Sequence, residues 1–155
     1  MKELREDPVS KFKPSPISAP GFLGSDTGTA SIRDIIDTDY ALLEECGLTT
    51  EKVAQALELI YRKCELAMGD PVTFPNGITG ELIDIRGKLP CPFGKCGTFA
   101  KGQVTLSGGV LHAPLIISPL SLHLIKTHGF FQGTSSPFRI DPRIVAEHLM
   151  TVALP

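Results

Sequence analysis

The sequence predicts an α+β fold, with an N-terminal helical hairpin packed on a small antiparallel β-sheet and two further C-terminal helices. Apolar residues recur with a helical period of three to four residues between Ile32 and Met68, and short alternating segments separated by Gly, Pro and Asn follow from Asp70. Of 155 residues, 42% are hydrophobic and 21% are charged, which suits one globular domain that needs no disulfide or metal to fold. We therefore predict a single domain over residues 27–155.

The first 26 residues are predicted to form an extended arm. They contain Pro8, Pro14, Pro16 and Pro20 and show no sustained period of either two or 3.6 residues. An arm of this composition becomes ordered only when another surface holds it. We expect that surface to belong to a second copy of the chain, so that the arm ties a homodimer together.

The helical hairpin is predicted from caps and apolar spacing. Ile32, Ile35 and Ile36 form a first short segment, and Thr38 is expected to cap a second one that ends at Gly47. Thr49 then caps the strongest helix, whose predicted buried stripe comprises Val53, Leu57, Ile60, Cys64 and Met68. Cys64 on this stripe and Cys46 before the turn are interpreted as small buried hydrophobes rather than ligands.

The strands are predicted from alternation and turn residues. Residues 81–86 alternate as a half-exposed strand, and residues 98–106 and 110–117 flank a Ser-Gly-Gly turn as a β-hairpin. If Leu106 pairs with Val110, Val104 faces His112, which predicts a hydrogen-bonded core histidine at position 112.

Two capping pairs predict the C-terminal helices. Ser118 followed by Pro119 begins a helix that ends at Gly129, and Asp141 followed by Pro142 begins another that runs to about residue 152. The intervening Phe130 and Phe131 precede a glycine- and serine-rich loop. Such an aromatic pair packs into a core or into a subunit interface, and of these two we expect the interface.

Charge locates the candidate site. Residues 27–84 contain eleven acidic and four basic side chains, whereas residues 85–128 contain five basic side chains and no carboxylate. The second segment also carries three of the four histidines and the pair Cys91 and Cys96. A carboxylate-free region with thiols and imidazoles suits a metal or a small anion.

A metal site is the first interpretation of this region. Cys91 and Cys96 are separated by four residues, which zinc sites tolerate, and two histidines would complete a tetrahedral set with zinc as the cofactor. His123, one turn into its helix, is the preferred third ligand. His128 is a candidate for the fourth, although it is turned by about 140° on the helix surface, so that both bind one metal only if the helix frays.

Several other interpretations stay open, among them a redox pair formed by Cys91 and Cys96. The first turn of the helix after Ser118 offers unpaired N–H groups for a small anion, with Arg86, Lys95, Ser118 and Ser121 as ligands. The positive charge at this helix start would also lower the pKa of Cys91 or Cys96. Either cysteine could then be the nucleophile of a thiol-dependent enzyme acting on an anionic small molecule, with His123 as its base. Alternatively, the basic side chains face the acidic helical half in a structural or interaction domain that has no ligand.

Several classes of function lack support in the sequence. There is no Walker loop, dinucleotide-binding glycine motif, HExxH or GxSxG. The absence of Trp and the presence of only two Tyr disfavour nucleic acid as a partner. No signal peptide or apolar run of membrane-spanning length is visible, so we expect no membrane partner, and we expect a cytoplasmic protein with reduced thiols.

Overall fold

The computed structural model describes residues 32–133 and 136–152 and shows the predicted α+β architecture. Two N-terminal helices precede small antiparallel sheets, and two helical segments follow them. The predicted arm over residues 1–26 lies outside the described residues, as does the start of the predicted domain at residue 27. Its role in a homodimer stays a prediction.

The helices are α1 (Ile32–Glu45), α2 (Thr50–Leu66), α3 (Pro119–His128) and α4 (Pro142–Ile144), which continues into a π-helical segment, Val145–Leu149. The strands are β1 (Val72–Thr73), β2 (Thr79–Ile83), β3 (Lys88–Pro90), β4 (Thr98–Ala100), β5 (Gln103–Ser107) and β6 (Leu115–Ile117). The strands form a four-stranded sheet in the order β1-β2-β5-β6 and a separate two-stranded sheet, β3-β4. None of the described helices combines the length and the apolarity that crossing a bilayer requires.

Helix α2 packs against the four-stranded sheet to form the main core. Thr49 caps the helix as predicted, because its hydroxyl oxygen accepts the Lys52 N–H at 3.2 Å. The stripe of α2 is buried as predicted at Val53, Leu57, Ile60 and Cys64, and it meets buried sheet residues such as Val104, Leu106 and Ile117. Met68, predicted on the same stripe, is instead 89% exposed, because the helix ends at Leu66 and Met68 adopts a left-handed φ of 54°.

The predicted hairpin register is wrong. β5 pairs with β6 so that Val104 lies opposite Ile117 and Leu106 opposite Leu115. The connection between β5 and β6 is longer than the predicted three-residue turn. It contains a turn in which the Leu111 N–H donates to the Gly108 carbonyl, and pairing begins only after Pro114. His112 consequently lies in an exposed loop and is not a core histidine.

Three further local predictions are wrong. Helix α1 is continuous, since Thr38 does not cap a new segment but donates its hydroxyl to the Asp34 carbonyl at 2.8 Å within the helix. Cys46 is exposed, because α1 ends before it. Phe130 and Phe131 are buried within the chain itself, against two different apolar clusters, and need no partner subunit to cover them.

Candidate metal centre

The β3-β4 hairpin positions the two cysteines. In the register of this hairpin Leu89 lies opposite Phe99, and both are partly buried, while the flanking strand positions are exposed. Two backbone hydrogen bonds close the loop between the strands. The Cys91 N–H donates to the Gly97 carbonyl at 3.4 Å, and the Gly94 N–H donates to the Cys91 carbonyl at 3.0 Å. These bonds fold the loop back on itself, so that both sulfurs lie on one side of the hairpin.

Helix α3 positions the two histidines. Ser118 and Ser121 form a reciprocal capping box at its start, and Gly129 ends it with a left-handed φ of 63°. Leu120 and Leu124 bury the helix against an apolar group that we call the hairpin cluster: Ile32, Cys91, Leu120, Leu124 and Phe130, with partly buried Leu89 and Phe99 packed on it. This contact brings α3 against the hairpin and turns His123 and His128 toward the sulfurs.

Four potential ligand atoms converge between the hairpin and α3. One atom each from Cys91, Cys96, His123 and His128 lies within 4.8 Å of the other three. The His128 Nε2 is 3.5 Å from the Cys91 Sγ and 3.6 Å from the Cys96 Sγ. Zn–S bonds of about 2.3 Å and Zn–N bonds of about 2.0 Å at tetrahedral angles place sulfur and nitrogen about 3.5 Å apart. The cluster is therefore compatible with a tetrahedral zinc ion.

His123 presents an unpaired nitrogen. Its Nδ1 lies 3.3 Å from the Thr127 hydroxyl, one helical turn further along α3. Its Nε2 is buried and has no hydrogen-bond partner among the described residues. A buried polar atom without a partner is costly, and a metal ion would satisfy it.

Aromatic rings cover both imidazoles. Phe93 stacks on His128 with ring centroids 4.1 Å apart, and Phe99 stacks on His123 with centroids 4.5 Å apart. Phe93 also contacts Phe130 edge-on at 5.7 Å. The rings restrict the orientation of the imidazoles.

Burial shifts the pKa values of three of the four residues in the direction that favours their neutral forms. Burial raises the pKa of the Cys91 thiol, and the adjacent Cys96 adds to the rise. Burial lowers the pKa of His123, and burial together with the neighbouring His123 lowers the pKa of His128. Neutral imidazoles are ready to bind a metal, whereas each thiol must lose its proton when it binds.

The structure brings together all four residues predicted as metal ligands and corrects one part of the reasoning. Both histidines reach the cluster from an intact helix, their ring centroids 5.1 Å apart and their planes at 82°. Fraying is unnecessary because an imidazole is long enough to converge from backbone positions that are about 140° apart. The short contacts of both sulfurs are with His128, the last residue of α3, and not with the first turn of this helix, next to which the anion and thiol-enzyme interpretations require them.

The residues predicted for anion binding do not join the cluster. The hydroxyls of Ser118 and Ser121 are engaged with each other and with the backbone of the capping box. Arg86 and Lys95 are exposed, and Lys95 adopts a left-handed φ of 52° in the cysteine loop. An anion at this helix start stays a prediction.

The residues that surround the four potential ligands were not predicted from the sequence. Phe93, Phe99 and Thr127 were not identified, and β3 was not predicted. Two signals were available: Thr127 follows His123 by four residues, a spacing at which helical side chains meet, and Leu89 lies between polar or turn residues in a strand-like alternation.

Comparison of the chain with known protein families, with curated proteins and with solved structures found no match. The functional conclusion therefore depends on the geometry of the cluster.

Proposed function

We propose that this protein binds one zinc ion through Cys91, Cys96, His123 and His128, and that the metal has a structural role. It would join the β3-β4 hairpin to helix α3, two elements that are distant in sequence and otherwise held together by the small hairpin cluster. When bound, zinc supplies a rigid tetrahedral link and no redox chemistry.

The observation that carries this proposal is the convergence of two sulfurs and two imidazoles on one point, with a buried His123 Nε2 that has no other partner among the described residues. Two soft thiolates and two imidazoles favour zinc over the oxygen-preferring Mg²⁺ and Ca²⁺. The sequence spacing agrees, since four residues separate the cysteines and four separate the histidines.

A structural role fits better than a catalytic one. Catalytic zinc sites usually have three protein ligands and an open position for water, whereas this cluster offers four, two of them covered by phenylalanine rings. The thiol-enzyme alternative with Cys91 as the nucleophile has less support, because burial raises the pKa of Cys91 and an activated nucleophile needs the opposite shift.

The test measures metal content and coordination in the full chain. Protein purified without added zinc should contain close to one zinc per chain, and replacement by Co²⁺ should give the absorption of a tetrahedral site with thiolate ligands. Cys96→Ser and His128→Ala should each abolish stoichiometric binding. Because these variants risk misfolding, the cobalt spectrum of the unmodified chain provides an independent readout.

The matched controls are Cys46→Ser and His112→Ala, which remove an exposed cysteine and an exposed histidine outside the cluster. Both should keep the metal. Loss of zinc from either control, or an octahedral cobalt spectrum in the unmodified protein, would contradict the proposed ligand set.

A further inference from the structure

We propose that Cys91 and Cys96 form an oxidation site: a peroxide converts the two ligating thiolates into an intramolecular disulfide, and the zinc ion is released. This inference rests on the proposed function, because it concerns the regulation of the same site. Its consequence is that the attachment of the β3-β4 hairpin to α3 depends on the oxidant level.

The two sulfurs are close enough to bond. They lie within 4.8 Å of one another, and both are within 3.6 Å of the same His128 nitrogen. A disulfide requires an S–S distance of about 2.05 Å, so the sulfurs must approach by no more than about 3 Å. Rotation of the two side chains and a small movement of the four-residue loop supply this approach.

The loop also holds the two backbones near each other. The Cys91 N–H bonds to the carbonyl of Gly97, the residue after Cys96, so the two cysteines lie at neighbouring positions across the closed loop. Disulfides form between residues whose Cα atoms are about 4.4–6.8 Å apart, the range of neighbouring antiparallel positions. The bond can therefore form within one chain.

Burial assigns different roles to the two sulfurs. Cys96 is only partly buried, whereas Cys91 is 5% exposed. The peroxide therefore reaches Cys96 first, and Cys91 acts as the resolving thiol. Cys64 is completely buried on α2 in the main core and offers no alternative partner.

The chemistry balances in two steps. The Cys96 thiolate attacks one oxygen of hydrogen peroxide, the O–O bond breaks, and sulfenic acid and hydroxide form. The Cys91 thiolate then attacks the Cys96 sulfur, the S–O bond breaks, and a second hydroxide leaves. Two protons convert the two hydroxides to water, so that two thiolates lose two electrons and hydrogen peroxide gains them.

The zinc ion is released because it loses two of its four ligands. A disulfide has no thiolate to donate, and His123 and His128 alone cannot hold zinc with structural affinity. Among the described residues, the hairpin then stays attached to α3 through the apolar contacts of the hairpin cluster and through the stacking of Phe93 and Phe99 on the two imidazoles.

The experiment uses the full-length Cys46→Ser chain loaded with one zinc, so that the exposed Cys46 cannot react. Hydrogen peroxide is added in small excess, zinc release is followed with a chromogenic chelator, and the protein mass is measured. We expect close to one zinc released per chain, together with a mass loss of about 2 Da and a peptide that links residues 91 and 96. Cys64 should remain a free thiol, and reductant with zinc should restore the starting state.

Two results would overturn the inference. One is a protein that keeps its zinc at a peroxide concentration that oxidises the free amino acid cysteine to cystine. The other is zinc release accompanied by oxygen addition to a cysteine without the 91–96 link. Failure of the proposed function is distinguishable, because it would appear earlier, as a chain that cannot be loaded with one zinc.

Discussion

The imidazoles of His123 and His128 are positioned by contacts that need no metal. These contacts come from Thr127, Phe93 and Phe99. The Thr127 hydroxyl lies 3.3 Å from the His123 Nδ1, and each ring stacks on a phenylalanine. When Nε2 binds a metal, the ring proton must be on Nδ1, where it donates to the Thr127 oxygen. These residues therefore affect metal affinity without contacting the metal.

Thr127→Val tests this positioning role. The substitution keeps the shape of the side chain but removes the hydroxyl, so we expect zinc affinity to fall by about tenfold, the lower end of the range for outer-shell partners. Competition with a chelator of known affinity measures the change. The control is Thr38→Val, which removes a hydroxyl that donates to the Asp34 carbonyl on α1. Equal affinity changes in the two variants would refute a specific role for Thr127.

The pH dependence of zinc binding follows from the titration of the ligands. The pKa values of His123 and His128 are lowered, so both imidazoles are already neutral at pH 7 and release no proton when zinc binds. The raised pKa of Cys91 keeps its thiol protonated there, so this thiol must release a proton when it becomes a thiolate ligand. The zinc association constant should therefore rise by at least about tenfold per pH unit between roughly pH 6.5 and 7.5. Isothermal titration at several pH values in buffers of different ionisation enthalpy counts the released protons, and a count near zero would be inconsistent with this assignment.

At the residue scale the sequence identified all four potential ligands but not their arrangement. Spacing revealed the cysteine pair, and the position of His123 one turn into its helix indicated the third ligand. His128 looked misplaced because helical geometry describes backbone positions and not the reach of side chains. Phe93 and Phe99 could not be assigned to the imidazoles, because their contacts join residues far apart in the chain.

At the scale of elements, α2 and β2 meet at Gly80, where the main core has no room for a side chain. A Cβ atom at this position would lie 2.6 Å from the Cys64 sulfur and 3.0 Å from a Leu106 methyl carbon. Both neighbours are completely buried and cannot move aside. Gly80 therefore allows the close approach of helix and sheet on which the core depends.

Gly80→Ala should destabilise the protein by about 2 kcal/mol through overpacking. Urea unfolding measures the change in the free energy of unfolding. The double variant with Cys64→Ala should recover part of that loss, because it removes the sulfur that the new methyl group meets. A double variant whose loss equals the sum of the two single losses would argue against the Cys64 contact as the cause.

Elements with strong local signals were predicted well. The caps at Thr49, Ser118 and Asp141 mark helix starts as expected, because capping is decided by a few neighbouring residues. The separate β3-β4 sheet was missed because its strands have only three residues each, and the β5-β6 register was wrong because the loop conformation, not the glycine pair alone, fixes it.

At the scale of the whole molecule, a buried ion pair joins α1 to the segment that follows α3. Arg139 bonds both carboxylate oxygens of Asp39, at 2.8 and 2.9 Å, and it also donates to the Gln132 carbonyl. The side chain of Asp39 is 2% exposed and that of Arg139 is 14% exposed. This pair connects parts of the chain that are 100 residues apart in sequence.

Asp39→Asn should lower the free energy of unfolding by about 3 kcal/mol, because it removes the charge of the buried carboxylate that binds the guanidinium in a bidentate pair. Thermal and urea unfolding measure the effect, and zinc content should stay unchanged. Arg62→Met removes an exposed ion pair with Glu58 and serves as the control, with an expected loss below about 1 kcal/mol. Similar losses in the two variants would show that the buried pair has no special role.

The α+β architecture was predictable from the sequence because it depends on periodicity and composition, which are properties of long segments. The long-range contacts were not. The Asp39–Arg139 pair and the meeting of the hairpin with α3 arise from packing of the whole chain, which no local pattern encodes.

The most direct test of the metal centre is the zinc content of the full-length chain, purified under reducing conditions without added metal and measured by elemental analysis. We predict close to one zinc per chain, retained in Cys46→Ser and lost in Cys96→Ser. A folded, unmodified chain that contains no zinc and takes up none when zinc is supplied would contradict a metal centre between the β3-β4 hairpin and α3.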